Sequence, residues 1–185
     1  MRKIDSAVRW RSLVDLPDLV SWLGLLAGLA ALYVGVVHQR AALAFGLLFF
    51  SATADLLDGA VARATGRGRP FGGYFDCMVD TIVFLPVVSV LTYHLGMKSL
   101  ILHIAFNTCG ALRHARLLDH PEIKRLGIPS TVAGFAFPIA YLVHVLTGIE
   151  ARHLFMLVMI VHSVGMVSLI DLRYPRSKPA PGDEG

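Results

Sequence analysis

Six runs of about 20 apolar residues, each long enough to cross the hydrocarbon core of a bilayer, limit what this chain can fold into. They cover residues 19–37, 41–62, 73–94, 97–115, 130–148 and 151–171. Lipid offers backbone N–H and C=O groups no water to bond, so spans of this kind must be helices. Hydrophobic residues make up 55% of the chain and charged residues 16%, against roughly 25% charged in an average soluble domain. The expected fold class is therefore an all-α integral membrane protein with six transmembrane helices. One membrane domain should occupy residues 1–174, followed by a disordered tail at 175–185, "PRSKPAPGDEG". Residues 5–16 set Val8, Trp10 and Leu13 among charges. They read equally as a short amphipathic helix on the membrane surface or as a solvated leader. The first residues lack the apolar core and small-residue cleavage site of a secretory signal, so the first run reads as a retained helix. Cys77 and Cys109 match no zinc or redox spacing and read as small buried hydrophobes.

Basic residues follow the cytoplasmic side of membrane proteins. Of the seventeen lysines and arginines, fourteen fall in the leader, the 2–3 and 4–5 connections and the tail. Only Arg40, Lys98 and Arg152 fall on the other side. Both termini are expected in the cytoplasm, in the inner membrane if the cell is bacterial. The formal charge of +4 suits an anionic inner leaflet. Membrane lipids are the expected surroundings, and no nucleic-acid partner is expected.

The cytoplasmic ends of the second and third runs carry "DLLDGAVARATGRGRPFGGYFDCMVD", residues 55–80. Asp55 and Asp58 are three apart and Asp76 and Asp80 are four apart, so each pair shares a helix face. The link between the helices is short. The two should be antiparallel neighbours with acidic faces turned toward each other. Carboxylates crowded at that depth repel and are costly to bury. A divalent cation is the simplest remedy, and a hard oxygen donor set suits Mg2+ or Mn2+ better than zinc. A pair of such ions is a common device for holding a diphosphate. Gly59 and Ala62 leave room beside the helix, Arg63 is placed to reach phosphate oxygens, and Gly72 and Gly73 keep the opening of the third helix clear.

The spacing Asp55-x2-Asp58-Gly59-x2-Ala62-Arg63-x8-Gly72-x3-Asp76-x3-Asp80 resembles the signature of the CDP-alcohol phosphatidyltransferase superfamily at all eight defined positions. The resemblance implies a six-helix membrane bundle, commonly a homodimer, with the site at the cytoplasmic interface. It implies transfer of a phosphatidyl group from a CDP-lipid, such as CDP-diacylglycerol, to a small alcohol with release of CMP. Carried over by position, Asp55, Asp58 and Asp76 would ligate metal. Asp80 would be the general base and would also touch a second ion. Asp55, Gly59, Ala62, Arg63 and Gly72 would bind the CDP-lipid. The reading from another class is a non-catalytic membrane protein that binds ions or nucleotide.

The acceptor is less plainly written. "GALRHARLLDHPEIKRLGIPSTVAG", residues 110–134, resembles the phosphatidylserine synthase branch at Arg113, Arg116, Gly127 and Pro129. Leu117, Leu118, Ile128 and Thr131 depart from that form. In the first helix, Asp18 and Ser21 depart from the family's Pro-Asn and Thr. L-Serine is the expected acceptor, with glycerol 3-phosphate or an inositol phosphate as the alternatives. Arg113 and Arg116 could clamp an acceptor carboxylate or phosphate, or serve as positive-inside anchors. His103 and Asn107, one turn apart, read as interhelical hydrogen-bonding groups or as acceptor ligands. His144 and His162 read as packed or bonded groups, and Pro86 and Pro138 as kinks.

Overall fold

The computed structural model of the chain describes residues 16–65, 70–119 and 126–168. These form helices α1 (Leu16–Val36), α2 (Ala41–Thr65), α3 (Pro70–Val83), α4 (Pro86–His94), α5 (Leu100–Asp119), α6 (Ala133–Thr147) and α7 (Ala151–Val167), with a 3₁₀ turn at Ser130–Val132. No β-strand element occurs among the described residues. The expected surface helix at 5–16 and the tail at 175–185 lie outside them.

Each expected run is helical, and the third is two helices rather than one. Pro86 has no N–H, and its ring collides with the carbonyl four residues back, so a continuous helix cannot pass it. Helical bonding persists on both sides of the break. Phe84 N donates to Asp80 O at 3.0 Å and Ser89 N donates to Leu85 O at 3.2 Å. The two residues at the break, Phe84 and Leu85, are buried at the centre of the bundle. Glycines from other helices admit them. A Cβ at Gly110 in α5 would lie 2.5 Å from the Leu85 side chain, and one at Gly134 in α6 would lie 2.6 Å from Phe84. The other expected kink site, Pro138, does not interrupt α6.

Stretches Leu19–Val36, Ala41–Val61, Cys77–His94 and Ser130–Thr147 are long and apolar enough to cross a membrane. Helix α7 is apolar but has 17 residues. Helix α5 has 20 residues, but His103, Asn107, Arg113, His114 and Arg116 lower its hydropathy. Large apolar side chains cover the outside, among them Leu26, Ile101, Leu146 and Val164. A soluble protein rarely exposes so much continuous apolar surface.

Helix association in lipid gains little from hydrophobic burial and depends on close packing of small residues. Helix α1 packs in this way through Gly24, Gly28, Ala31 and Gly35. A Cβ at Gly28 would lie 2.3 Å from Val83 of α3, and one at Gly35 would lie 2.2 Å from Leu91 of α4. On the side facing α2, Ser51 Oγ donates to Gly24 O at 2.7 Å. Helix α1 thus lies against α2, α3 and α4 together. Among the described residues α1 and the 3₁₀ turn each touch both α2 and α3. Elsewhere the core is aromatic. Phe45, Phe155, Phe137 and Phe106 form a chain of ring contacts at 5.7, 6.0 and 5.9 Å that joins α2, α7, α6 and α5.

Polar groups also join α4 to α5. Asn107 Nδ2 donates to Ser89 Oγ at 2.7 Å, and Thr92 Oγ1 lies 3.1 Å from His103 Nε2. His103 and Asn107 are therefore interhelical bonding groups. His144 Nδ1 bonds the Ile149 carbonyl at 2.7 Å. The two cysteines form no disulfide among the described residues and are half-buried rather than fully buried.

Candidate active site

Burial makes strong demands on the aspartates that the structure describes. Asp58 is 6% exposed and Asp80 is 8% exposed, and a carboxylate so far from water needs donors or cations. The donors come from elements far away in the chain. Ser21 Oγ of α1 donates to Asp58 Oδ2. Thr131 Oγ1 of the 3₁₀ turn donates to Asp55 Oδ2 at 2.7 Å and also approaches Asp80 Oδ2 at 3.4 Å. Ser130 Oγ donates to Asp80 Oδ2 at 2.6 Å. The acids of α2 and α3 are therefore brought together through one threonine hydroxyl.

Behind Ser130 stands His114 of α5. Its Nε2 lies 2.8 Å from Ser130 Oγ and 3.7 Å from Asp80 Oδ2. Its Nδ1 lies 2.6 Å from Thr81 Oγ1. Thr81 in turn donates its hydroxyl to the Cys77 carbonyl at 2.8 Å. Asp80 Oδ1 is different. It is buried and has no hydrogen-bond partner among the described residues.

The turn that supplies these hydroxyls is held by α7. Ile128 N donates to Gly165 O at 2.9 Å, and His162 Nε2 lies 3.2 Å from Pro129 O. Gly127 has φ +74°, and a Cβ there would meet the carbonyl oxygens of Gly165 and Met166 at 2.8 Å. Only glycine meets both the conformation and the close approach.

The two arginines of α5 have separate surroundings. Arg113 is 6% exposed and its Nε has no hydrogen-bond partner among the described residues. It is within electrostatic reach of Asp80. Arg116 is exposed, and its Nη1 donates to Val167 O at 3.4 Å, a long bond to the end of α7.

Among the described residues no three Asp, Glu, His or Cys side chains converge as a metal-binding group. The expected set includes Asp76, which the helix α3 carries but whose side chain lies outside those described. The same holds for the side chains of Ala62 and Arg63 in α2 and for the surroundings of Gly72 in α3. The donors that are described fit a hard divalent cation. They are carboxylate and hydroxyl oxygens, the hard donors such an ion takes.

Four residues of the site carry no role in the sequence reading: Ser21, His114, Ser130 and Thr131. Ser21 and Thr131 enter that reading only as departures from a family form. The one available signal is that hydroxyls sit at the same ends of the spans as the acids.

The profile of the CDP-alcohol phosphatidyltransferase family matches residues 14–167. The chain is similar to the CDP-diacylglycerol–serine O-phosphatidyltransferase of Methanocaldococcus jannaschii, with 29% identity over 174 residues, 90% of this chain and 76% of that protein. It is 31% identical over 173 residues to the archaetidylserine synthase of Methanothermobacter thermautotrophicus, 89% of this chain and 71% of that protein. It is 28% identical over 175 residues to the CDP-diacylglycerol–serine O-phosphatidyltransferase of Helicobacter pylori, 88% and 72% respectively.

Proposed function

The chain belongs to the CDP-alcohol phosphatidyltransferase family, and from that premise we propose that it makes a serine phospholipid by transfer from a CDP-lipid to L-serine with release of CMP. The relatives' names differ in the lipid and agree in serine. The observation that carries the reading is the meeting of Asp55 and Asp80 on the Thr131 hydroxyl, beside a buried carboxylate oxygen that nothing in the described protein engages.

Asp80 is the general base. Its Oδ1, which has no hydrogen-bond partner among the described residues, takes the proton of the serine hydroxyl as that oxygen forms a bond to the lipid-side phosphorus. The phosphorus–oxygen bond to CMP breaks in the same displacement. Asp55, Asp58, Asp76 and Asp80 would hold Mg2+ or Mn2+, on which the family generally depends. Such ions, when bound, neutralise the diphosphate of the donor. Asp55, Gly59, Ala62, Arg63 and Gly72 line the CDP-lipid position. Arg113 receives the serine carboxylate. Its charge is buried and its Nε has no described bond to give up. Arg116 has the weaker claim on the acceptor because it is exposed and directed at Val167 O.

We further take α5 and α7 to span, which gives six crossings with both termini and the site on the cytoplasmic side. At 1.5 Å per residue their lengths are about 30 and 25 Å, close to the bilayer core. The polar groups that lower the hydropathy of α5 are turned inward at His103, Arg113 and His114, while Ile101, Ile104 and Leu112 are exposed. The working unit is taken to be a homodimer, as the family resemblance implies.

The test is CMP release by purified protein given CDP-diacylglycerol, Mg2+ or Mn2+, and a panel of serine, glycerol 3-phosphate and inositol phosphate. Release with serine alone, abolished by chelator, is the expected result. Release with another acceptor and not with serine overturns the assignment of serine, and silence with every acceptor favours a non-catalytic ion- or nucleotide-binding protein.

A further inference from the structure

We propose that His114 and Ser130 are positioning residues for Asp80, acting by fixing which of its two carboxylate oxygens faces the acceptor. The observation is an asymmetry. Oδ2 receives Ser130 at 2.6 Å and has Thr131 at 3.4 Å, while Oδ1 has no hydrogen-bond partner among the described residues. Rotation of a carboxylate exchanges its oxygens, so a base that must be aimed needs one of them held. Ser130 holds it, but a serine hydroxyl rotates freely and could turn elsewhere. His114 removes that freedom, because its Nε2 meets Ser130 Oγ from the other side at 2.8 Å.

The ring is itself fixed. Nδ1 meets Thr81 Oγ1 at 2.6 Å, and Thr81 is tied to the Cys77 carbonyl. Ser130, His114 and Asp80 are all buried, so water does not replace the His114–Ser130 and Ser130–Asp80 links. The chain Thr81–His114–Ser130–Asp80 thus begins and ends on α3 and passes through α5 and the 3₁₀ turn. Its product is one oxygen engaged and one kept for the reacting hydroxyl. Neither histidine nor serine touches substrate in this assignment. It rests on the reading of Asp80 as the base.

Orientation of a reacting group is worth large factors in rate, and small misplacements are felt. Ser130→Ala should lower kcat for CMP release by about tenfold or more and leave KM for serine and for the CDP-lipid within about twofold. His114→Leu should lower kcat in the same way, and His114→Gln, whose amide can still meet Ser130, should recover most of it. The double variant Ser130→Ala/His114→Leu should be no slower than Ser130→Ala alone, since both act along one path. Asp80→Asn sets the floor. Binding of CDP in the presence of Mg2+, followed by calorimetry, should be unchanged in the Ser130 and His114 variants and shows that the site is folded. An unchanged kcat in Ser130→Ala, losses that appear in KM, or additive losses in the double variant overturn the inference. Should His114→Leu fail to fold, the Ser130→Ala result decides alone. Wild-type CMP release that Ser130→Ala leaves intact sinks this inference and spares the proposed function. Wild-type silence with every acceptor sinks both.

Discussion

A guanidinium inside a membrane protein is costly unless charge answers it, and Arg113 is buried with its Nε unbonded among the described residues. Its neighbour three residues on, Arg116, is exposed and caps the end of α7. The two should therefore respond differently to truncation. Arg113→Ala should raise KM for serine by about 10- to 100-fold, the size of a lost charge-assisted hydrogen bond of about 1.5–3 kcal/mol, with KM for the CDP-lipid little changed. Arg116→Ala should leave both near wild type. Initial-rate measurements with each substrate varied check this, and equal effects of the two variants would remove Arg113 from the acceptor site. The nearness of Asp55 and Asp80 was legible in the sequence because helical spacing and a short link set the acids of α2 and α3 at the same ends of their helices. Their donors were not. Ser21 reaches Asp58 across 37 residues, Ser130 reaches Asp80 across 50, and Thr131 reaches Asp55 across 76. No local pattern encodes a partner at that distance, and so the two hydroxyls that depart from the family form read as blemishes although they bind the aspartates.

Helix α1 illustrates how an element with one charged residue, Asp18, can organise the site through its small residues. Its glycine face seats Val83 three residues beyond Asp80 and Leu91 of α4, so the position of α3 depends on it. Gly28→Ala places a Cβ 2.3 Å from the Val83 side chain and should destabilise the fold by about 1–3 kcal/mol through overpacking. Gly46→Ala in α2 is the control, because a Cβ there meets nothing within 4 Å, and it should change stability by no more than about 1 kcal/mol. Thermal unfolding in detergent compares them, and equal melting temperatures would contradict this packing account. The helix extents were legible from apolar runs, since lipid permits little else. The place of α1 was not, because sequence periodicity cannot show that its small residues contact both α2 and α3. The break before Pro86 was legible as a kink. The way Gly110 and Gly134 accommodate Phe84 and Leu85 was not, because it is a property of three helices at once.

At the scale of the whole molecule, the proposed six crossings would put the links around Gln39, Lys98 and Glu150 on one face of the membrane. With Cys77 and Cys109 replaced by serine, single cysteines at those three positions should all react with an impermeant maleimide applied from the side opposite the termini. Labelling of Gln39→Cys without Glu150→Cys would show that α5 or α7 fails to span. A homodimer in nanodiscs should carry twice the 20.1 kDa chain mass. The seat of Gly127 on the carbonyls of α7 has a consequence for biogenesis. A chain made only as far as α6 already carries all four aspartates and has α2, α3 and α6 beside the turn that bears Ser130 and Thr131, but it lacks the α7 contacts at Ile128 and Pro129. The hydroxyls that engage Asp80 should therefore be fully braced only once α7 has packed against the turn.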